Sequence, residues 1–473
     1  MPNCLIDPTD DAIPVHAITP DGFAAWLGGQ DAATRGWIDA QYFAGKGGKA
    51  LSLPGPGGAL KAYVYVIGGD DGRGGPWGWS ALYDALPKGG AFQIQGDLSE
   101  ADVNDAALGF ALASYAFDRY RQSEDEDDDT HDTHTGPFLV WPVGADQASV
   151  RGAYGATTLV RDLVNTPASD LGPAELAHAA QDLAEASGAQ YSAIVGVDLI
   201  REGFPAIYAV GRGAEDSRAP RLVDFSWGRT DAPKVTLVGK GVCFDAGGLD
   251  IKSAAGMKIM KKDMGGAAHA LGLASMIMAA NLDVRLRVLI PAVENSVSDS
   301  AMRPLDVVAS RKGLSIEIGH TDAEGRVILA DALSLACEDQ PDLILDFATL
   351  TGAARVALGT EVPALFCNDN DLAVDILAAG ETTHDPLWRM PLHQPYKKMI
   401  RGKVADLRND TDSPYAGAIM AALFLESFIE DGIPWAHVDL MAWNPSSQPG
   451  RPEGGEAMGL RAMFKTLQNR FAD

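Results

Sequence analysis

The chain has 473 residues, 46% of them hydrophobic and 22% charged, a length too great for one hydrophobic core and most simply divided into two domains. Its formal charge of −26, from 38 Lys+Arg against 64 Asp+Glu, repels phosphate backbones and anionic membrane surfaces. No basic patch offsets that charge, so neither nucleic acid nor a membrane is expected as a partner.

The beginning, "MPNCLIDPTDDAIP", is acidic rather than basic-then-apolar, which argues against a secretory signal. Gly-rich turns ("PGPGG", "GGDDGRGG") then separate short strands such as "AYVYVIGG" from a helix predicted over "DAALGFALASYAFDRYR", whose apolar positions recur at three- and four-residue steps. Residues 1–145 therefore read as a small N-terminal α/β domain. Within it, residues 122–136, "QSEDEDDDTHDTHTG", form a low-complexity acidic run expected to be a solvated surface loop; His131 and His134 there are solvated rather than metal-binding on this reading. After the strand "FLVWPVG", a long helical pattern covers about 146–165, and Pro167 and Pro173 bracket the break before the next helix, "AELAHAAQDLAEASG". The domain boundary is placed at the start of the long helix.

From there to residue 473 strands ("RLVDFSW", "KVTLVG", "RLRVLIPAV", "DLILDFATL") alternate with helices ("GGAAHALGLASMIMAA", "RVILADALSLACED", "AGAIMAALFLESFI"). This is the order of a larger domain with a mostly parallel sheet flanked by helices. Its most apolar stretch, "AHALGLASMIMAA", falls short of the roughly 20 residues a membrane span needs. Cys4, Cys243, Cys337 and Cys367 lack CxxC or zinc-finger spacing, so reduced thiols and a cytoplasmic location are expected.

Ligands of such sheets bind at the carboxyl ends of strands, so charge clustered there is informative. Lys240 follows the strand "KVTLVG", Asp245 lies beside a Gly-rich turn, Lys252 comes soon after, and Asp263 stands at the mouth of a helix beginning "GG". Asp322, Glu324 and Arg326 alternate in "GHTDAEGR", just beyond the strand pattern "LSIEIG". Singly, each charge has an ordinary explanation as a helix cap or a solvated end. Together, four carboxylates among Gly, Ala and apolar residues would repel one another and resist ionisation unless cations were present, and their charge suits two divalent ions. Lys252 and Arg326 leave room for a hydroxide and one further anion.

The segments "RDLVNTPASDLGP", "VGKGVCFDAGGLDIK", "KKDMGGAAHA", "HTDAEGRVILADAL" and "DFATLTGAA" together resemble the cytosolic leucine aminopeptidase family from about residue 160 onward, whereas the first 145 residues resemble it only in size and coarse α/β pattern. The resemblance implies one metal ion held by Lys240, Asp245, Asp263 and Glu324, and a second held by Asp245, Asp322 and Glu324. Lys252 would face the scissile carbonyl and Arg326 would hold a bicarbonate acting as general base. Oxygen-rich ligation suits Zn or Mn, with Mg or Co also compatible. Two such ions can share a water and lower its pKa towards about 7, and they can take up the free amine and carbonyl of an N-terminal residue. Lys252, Met260, Asp263, Thr349, Leu350 and Gly352 would contact the substrate, favouring apolar residues such as Leu or Met. Short peptides with a free N-terminus, and a homohexamer of two stacked trimers, complete what the resemblance implies.

His320 departs from the family pattern, which has Asn there; it is read as orienting a neighbouring group rather than as a base. His437 and Asp439 of "WAHVDLMAW" are read as structural, and His178 and His269 as helix residues without partners. A different bimetallic hydrolase, such as a phosphoesterase gripping phosphate through Lys252 and Arg326, leaves the lysine ligand unexplained. A non-catalytic scaffold or DNA-binding regulator on the same fold would be favoured by lost ligand residues or a basic groove, and the sequence has neither.

Overall fold

The computed structural model describes residues 2–68, 73–121 and 135–471. All but the last two residues of the acidic run 122–136, His131 and His134 among them, lie outside the described residues. The chain forms two compact units, one comprising the chain up to Gly155 together with Ser446–Glu453, the other Ala156–Pro445 with Gly454 onward. The long helix Gln147–Asn165 runs across the division rather than starting at it. The segment 446–453, which the linear reading left in the larger domain, packs with the first unit.

In the first unit a sheet runs in the order Leu5–Ile6, Phe138–Val140, Ala91–Gln95, Ile13–Ile18, Leu60–Val66, Lys49–Pro54, parallel except at the last pairing. The helix Glu100–Ala113 opens with a capping box, Ser99 and Asp102 satisfying each other's backbone N–H groups. It stops well short of the predicted Arg121, because the Ser114 hydroxyl donates to the Ala111 carbonyl (2.7 Å) and closes the last turn.

In the second unit the strand Lys234–Gly239 is central. It pairs in parallel with Arg285–Asn295 on one side and Leu343–Ala348 on the other, and Leu343–Ala348 pairs in parallel with Trp435–Asp439. Leu237 and Val238, neighbours whose side chains point to opposite faces, are both fully buried, so the sheet is covered on both sides. The helices Gly265–Ala279 and Glu324–Glu338 supply much of that cover and are buried almost all round. Among the described residues antiparallel pairing lies towards the edges, where Arg221–Trp227 meets both Gln190–Val195 and Arg285–Asn295, and Ala364–Cys367 meets Trp435–Asp439. The strand pattern before Asp322 is shorter than predicted, Ser315–Glu317, and belongs to a separate small sheet. Each of the four cysteines is buried and unpaired.

Candidate active site

The parallel strands place Lys240, Asn295, Thr349 and Asp439 together at one edge, where their carboxyl ends meet. Arg285–Asn295 is long enough to pair first with Lys234–Gly239 and then with Gly241–Asp245, across an irregularity between Val242 and Phe244. That bend carries Asp245 beside Asn295, whose amide donates to its Oδ1 at 2.9 Å. Close approach of the next helix requires glycine: a Cβ on Gly266 would lie 2.1 Å from the Phe347 carbonyl oxygen. Asp263, just before that helix, thereby reaches Lys240, Nζ to Oδ2 2.8 Å. A Cβ on Gly325 would come within 2.7 Å of Lys240 Nζ, so the glycine after Glu324 lets this lysine lie against the helix start.

Glu324 opens the helix Glu324–Glu338, where the aligned peptide dipoles favour a negative charge. Its Oε1 is 3.0 Å from Lys240 Nζ, while its Oε2 is buried without a hydrogen-bond partner. Asp245, Asp322 and Glu324 each offer an oxygen within 4.8 Å of the others. Lys252 Nζ contacts Asp245 Oδ2 at 2.6 Å and also reaches Asp322 Oδ1. All seven residues expected at the site except Arg326 are thus tied into one cluster by direct contacts. Arg326 lines the same cavity, donating Nη1 to the Asn409 carbonyl at 2.6 Å and leaving Nε without a partner.

Burial, then the neighbouring Asp245, raises the Glu324 carboxyl to about 8, and burial with Asp263 nearby raises Asp245 to about 6. Burial would lower Lys240, but Asp263, Glu324 and Asp245 outweigh it and raise the ammonium. The two lysines therefore act as counterions to a carboxylate set that does not ionise easily by itself. A buried carboxylate oxygen without a partner, in a set with more acceptors than donors, fits divalent cations well.

Several supporting residues carried no signal in the sequence. Thr321 donates to the Gly247 carbonyl (2.6 Å) and accepts from Asp250 N (2.8 Å), tying the loop that bears Lys252 to the turn that bears Asp322. Asn409, buried, accepts from Gly319 N and donates to the carbonyls of His320 and Ala323. His320 is half-exposed and its Nδ1 accepts the backbone N–H of Asp322 at 3.1 Å. His437 Nδ1 pairs with Asp346 at 2.6 Å inside the sheet, and Asp439 accepts from Leu350 N and Thr351 N, shaping the turn after Ala348. His178 is exposed near Asp182. His269 has partners after all: it bonds the Gly265 carbonyl and accepts from Met458 N, a residue too distant in sequence for any local pattern to show.

The description "Cytosol aminopeptidase family, catalytic domain" matches residues 158–464, and "M17 aminopeptidase, N-terminal domain" matches residues 13–129. The chain belongs to the cytosol aminopeptidase family. Membership extends to the N-terminal domain, which corrects the expectation that the first 145 residues share only size and coarse pattern. A probable cytosol aminopeptidase of Syntrophotalea carbinolica is 37% identical over 91% of this chain and 90% of its own length. The crystal structure of the cytosol aminopeptidase from Coxiella burnetii superposes with a TM-score of 0.92 at 48% identity, covering 99% of this chain and 100% of that one. The bottromycin maturation enzyme BotP in complex with Mn gives 0.84 at 32% identity, covering 97% and 99%. The protein is accordingly an aminopeptidase, a hydrolase acting on peptides, of a metal-dependent family. Among the described residues no helix is long and apolar enough to cross a membrane.

Proposed function

We propose that this cytosol aminopeptidase is a dinuclear-metal enzyme that removes the N-terminal residue of short peptides in the cytoplasm. The observation that carries this reading is the cluster of buried Asp245, Asp263 and Glu324 with part-exposed Asp322, held between Lys240 and Lys252 with a Glu324 oxygen left unpartnered among the described residues. Lys240, Asp245, Asp263 and Glu324 would hold one divalent ion, and Asp245, Asp322 and Glu324 the other, with Lys240 as neutral amine beside a dication. Bound there, Zn or Mn would supply Lewis acidity towards the substrate's carbonyl and a water acidic enough to attack it.

The chain's own residues do the rest. Lys252, mobile once metals take over its carboxylate partners, would stabilise the negative charge that develops on the carbonyl oxygen, a contribution whose loss typically costs ~10² to 10³ in rate. The unpartnered Nε of Arg326 would bind an anion such as bicarbonate, positioned to accept a proton. Met260, Thr349, Leu350 and Gly352 would line the seat of the N-terminal side chain and accept apolar residues such as Leu and Met; Met260 and Thr349 are buried in the cavity wall. A homohexamer, as the family resemblance implies, would restrict access to short peptides.

The test is a blocked substrate. Hydrolysis of a Leu peptide should stop on N-acetylation, because the modification removes the amine that the carboxylate and metal cluster is to receive. Cleavage of the acetylated peptide at a rate comparable with the free one, followed by chromatography of products, overturns the exopeptidase reading.

His320→Asn should be tolerated. An Asn oxygen can accept the same N–H two residues on, in the manner of an Asx turn, so kcat/KM should stay within about tenfold of the parent, the mild end of effects on groups that orient ligands. A loss beyond a hundredfold with metal retained would place the imidazole in the chemistry.

A further inference from the structure

The cavity beside the carboxylate cluster, about 490 Å³, has two cations in its wall that the chemistry above does not use, Lys262 and Arg355. Lys262 is 3% exposed, yet among the described residues its ammonium has no hydrogen-bond acceptor and no carboxylate within ion-pair distance. Lysine is almost never buried without a counterion. The acids near it are committed elsewhere. Asp263 gives Oδ2 to Lys240 and Oδ1 to the Thr349 hydroxyl. Asp439 uses Oδ1 for Leu350 N and Thr351 N, and Oδ2 for the Thr351 hydroxyl at 2.6 Å. Arg355 is in the same position. Its Nη1 faces only the weak acceptor Met441 Sδ at 3.3 Å, and its Nη2 lies 3.4 Å from where a Cβ on Gly352 would stand. Among the described residues neither cation has an acid of this chain as an ion-pair partner, and both line the cavity.

We propose that this wall selects peptides whose N-terminal residue is acidic, Glu above all, with Lys262 and Arg355 receiving the side-chain carboxylate. The inference rests on the aminopeptidase reading and revises its side-chain preference, placing acidic residues ahead of the Leu and Met that the same seat accepts. Met260 and Leu350 in the same cavity offer an apolar surface for the methylenes of such a side chain. Leu and Met fit that surface too, but they leave the cations unpaired. The chain's charge of −26 does not oppose this at the site, because free charges farther than about 8 Å are screened at physiological ionic strength and the two cations act at contact.

The experiment compares kcat/KM for Glu-, Gln- and Leu-anilides with the metal-loaded full chain. Glu and Gln have nearly the same shape, so their ratio isolates the charge. Wild type should favour Glu over Gln by at least about tenfold, the scale of one charge-assisted contact. Lys262→Met should reduce that ratio by a similar factor, and Arg355→Gln should reduce it by less. Product inhibition of wild type by free glutamate against glutamine should show the same order, which needs no variant to fold. A wild-type ratio at or below one, with Leu-anilide turned over, overturns the acidic preference and leaves the aminopeptidase reading standing. A strong preference for Glu that survives both substitutions overturns the assignment to these residues. Failure to cut any of the three overturns the aminopeptidase reading and this inference with it.

Discussion

Glu324→Gln should lower kcat/KM on Leu-anilide by ~10² to 10³ or more and reduce the metal bound per chain. Like Asp245, Glu324 is proposed to serve both ions from a buried position: it is 1% exposed, lies against Lys240 through Oε1, and presents an Oε2 without a hydrogen-bond partner among the described residues. Gln keeps the volume and one acceptor oxygen but replaces the second with a donor, which cannot ligate a cation. Packing around the helix start should survive, because Gln occupies the space Glu324 does and Gly325 still admits the lysine stem. The effect should therefore fall on metal content and rate with the fold intact, measured by elemental analysis, steady-state kinetics and circular dichroism on one preparation. Unchanged metal content and rate would remove Glu324 from the site.

What the sequence disclosed, and what it hid, divides along physical lines. Asp322, Glu324 and Arg326 could be read because one turn and the start of one helix bring them together. Lys240 and Asp245 could be read because two consecutive strands, Lys234–Gly239 and Gly241–Asp245, carry one between them and the other at their end. The strands Arg221–Trp227 and Lys234–Gly239 announced themselves by apolar runs with clear ends. Their antiparallel or parallel sense did not, since pairing partners lie far apart in sequence. Asn409 and Thr321 brace the site through bonds to segments scores of residues away, and no local pattern marks a buried amide that serves four backbone groups. The same distance concealed Lys262 and Arg355. Each looks like a solvated cation in its own segment, and only the folded chain brings both to one cavity in which, among the described residues, neither is ion-paired with an acid. The helix after Ser99 was overextended because apolar spacing continues through Tyr115 and Phe117, while the hydroxyl that ends the helix carries no periodic signal.

Removal of metal should have an effect as large as any substitution. Burial and mutual repulsion hold Glu324 and Asp245 well above the ordinary carboxylate range, and the lysines that would bind substrate or ligate metal are instead paired with those acids, Lys240 with Glu324 and Lys252 with Asp245. With Lys252 against Asp245 and Asp322, the cation proposed for the carbonyl oxygen is occupied, and without metal the site would have no acidified water to replace what is lost. Chelator-treated protein should keep its fold and lose hydrolysis of Leu-anilide. Titration with Mn, Co or Zn should restore activity as bound metal rises to two ions per chain. Metal content and rate followed together through that titration test the central claim most directly: activity that tracks occupancy up to two ions is the result expected, and full activity in protein free of bound metal would contradict it.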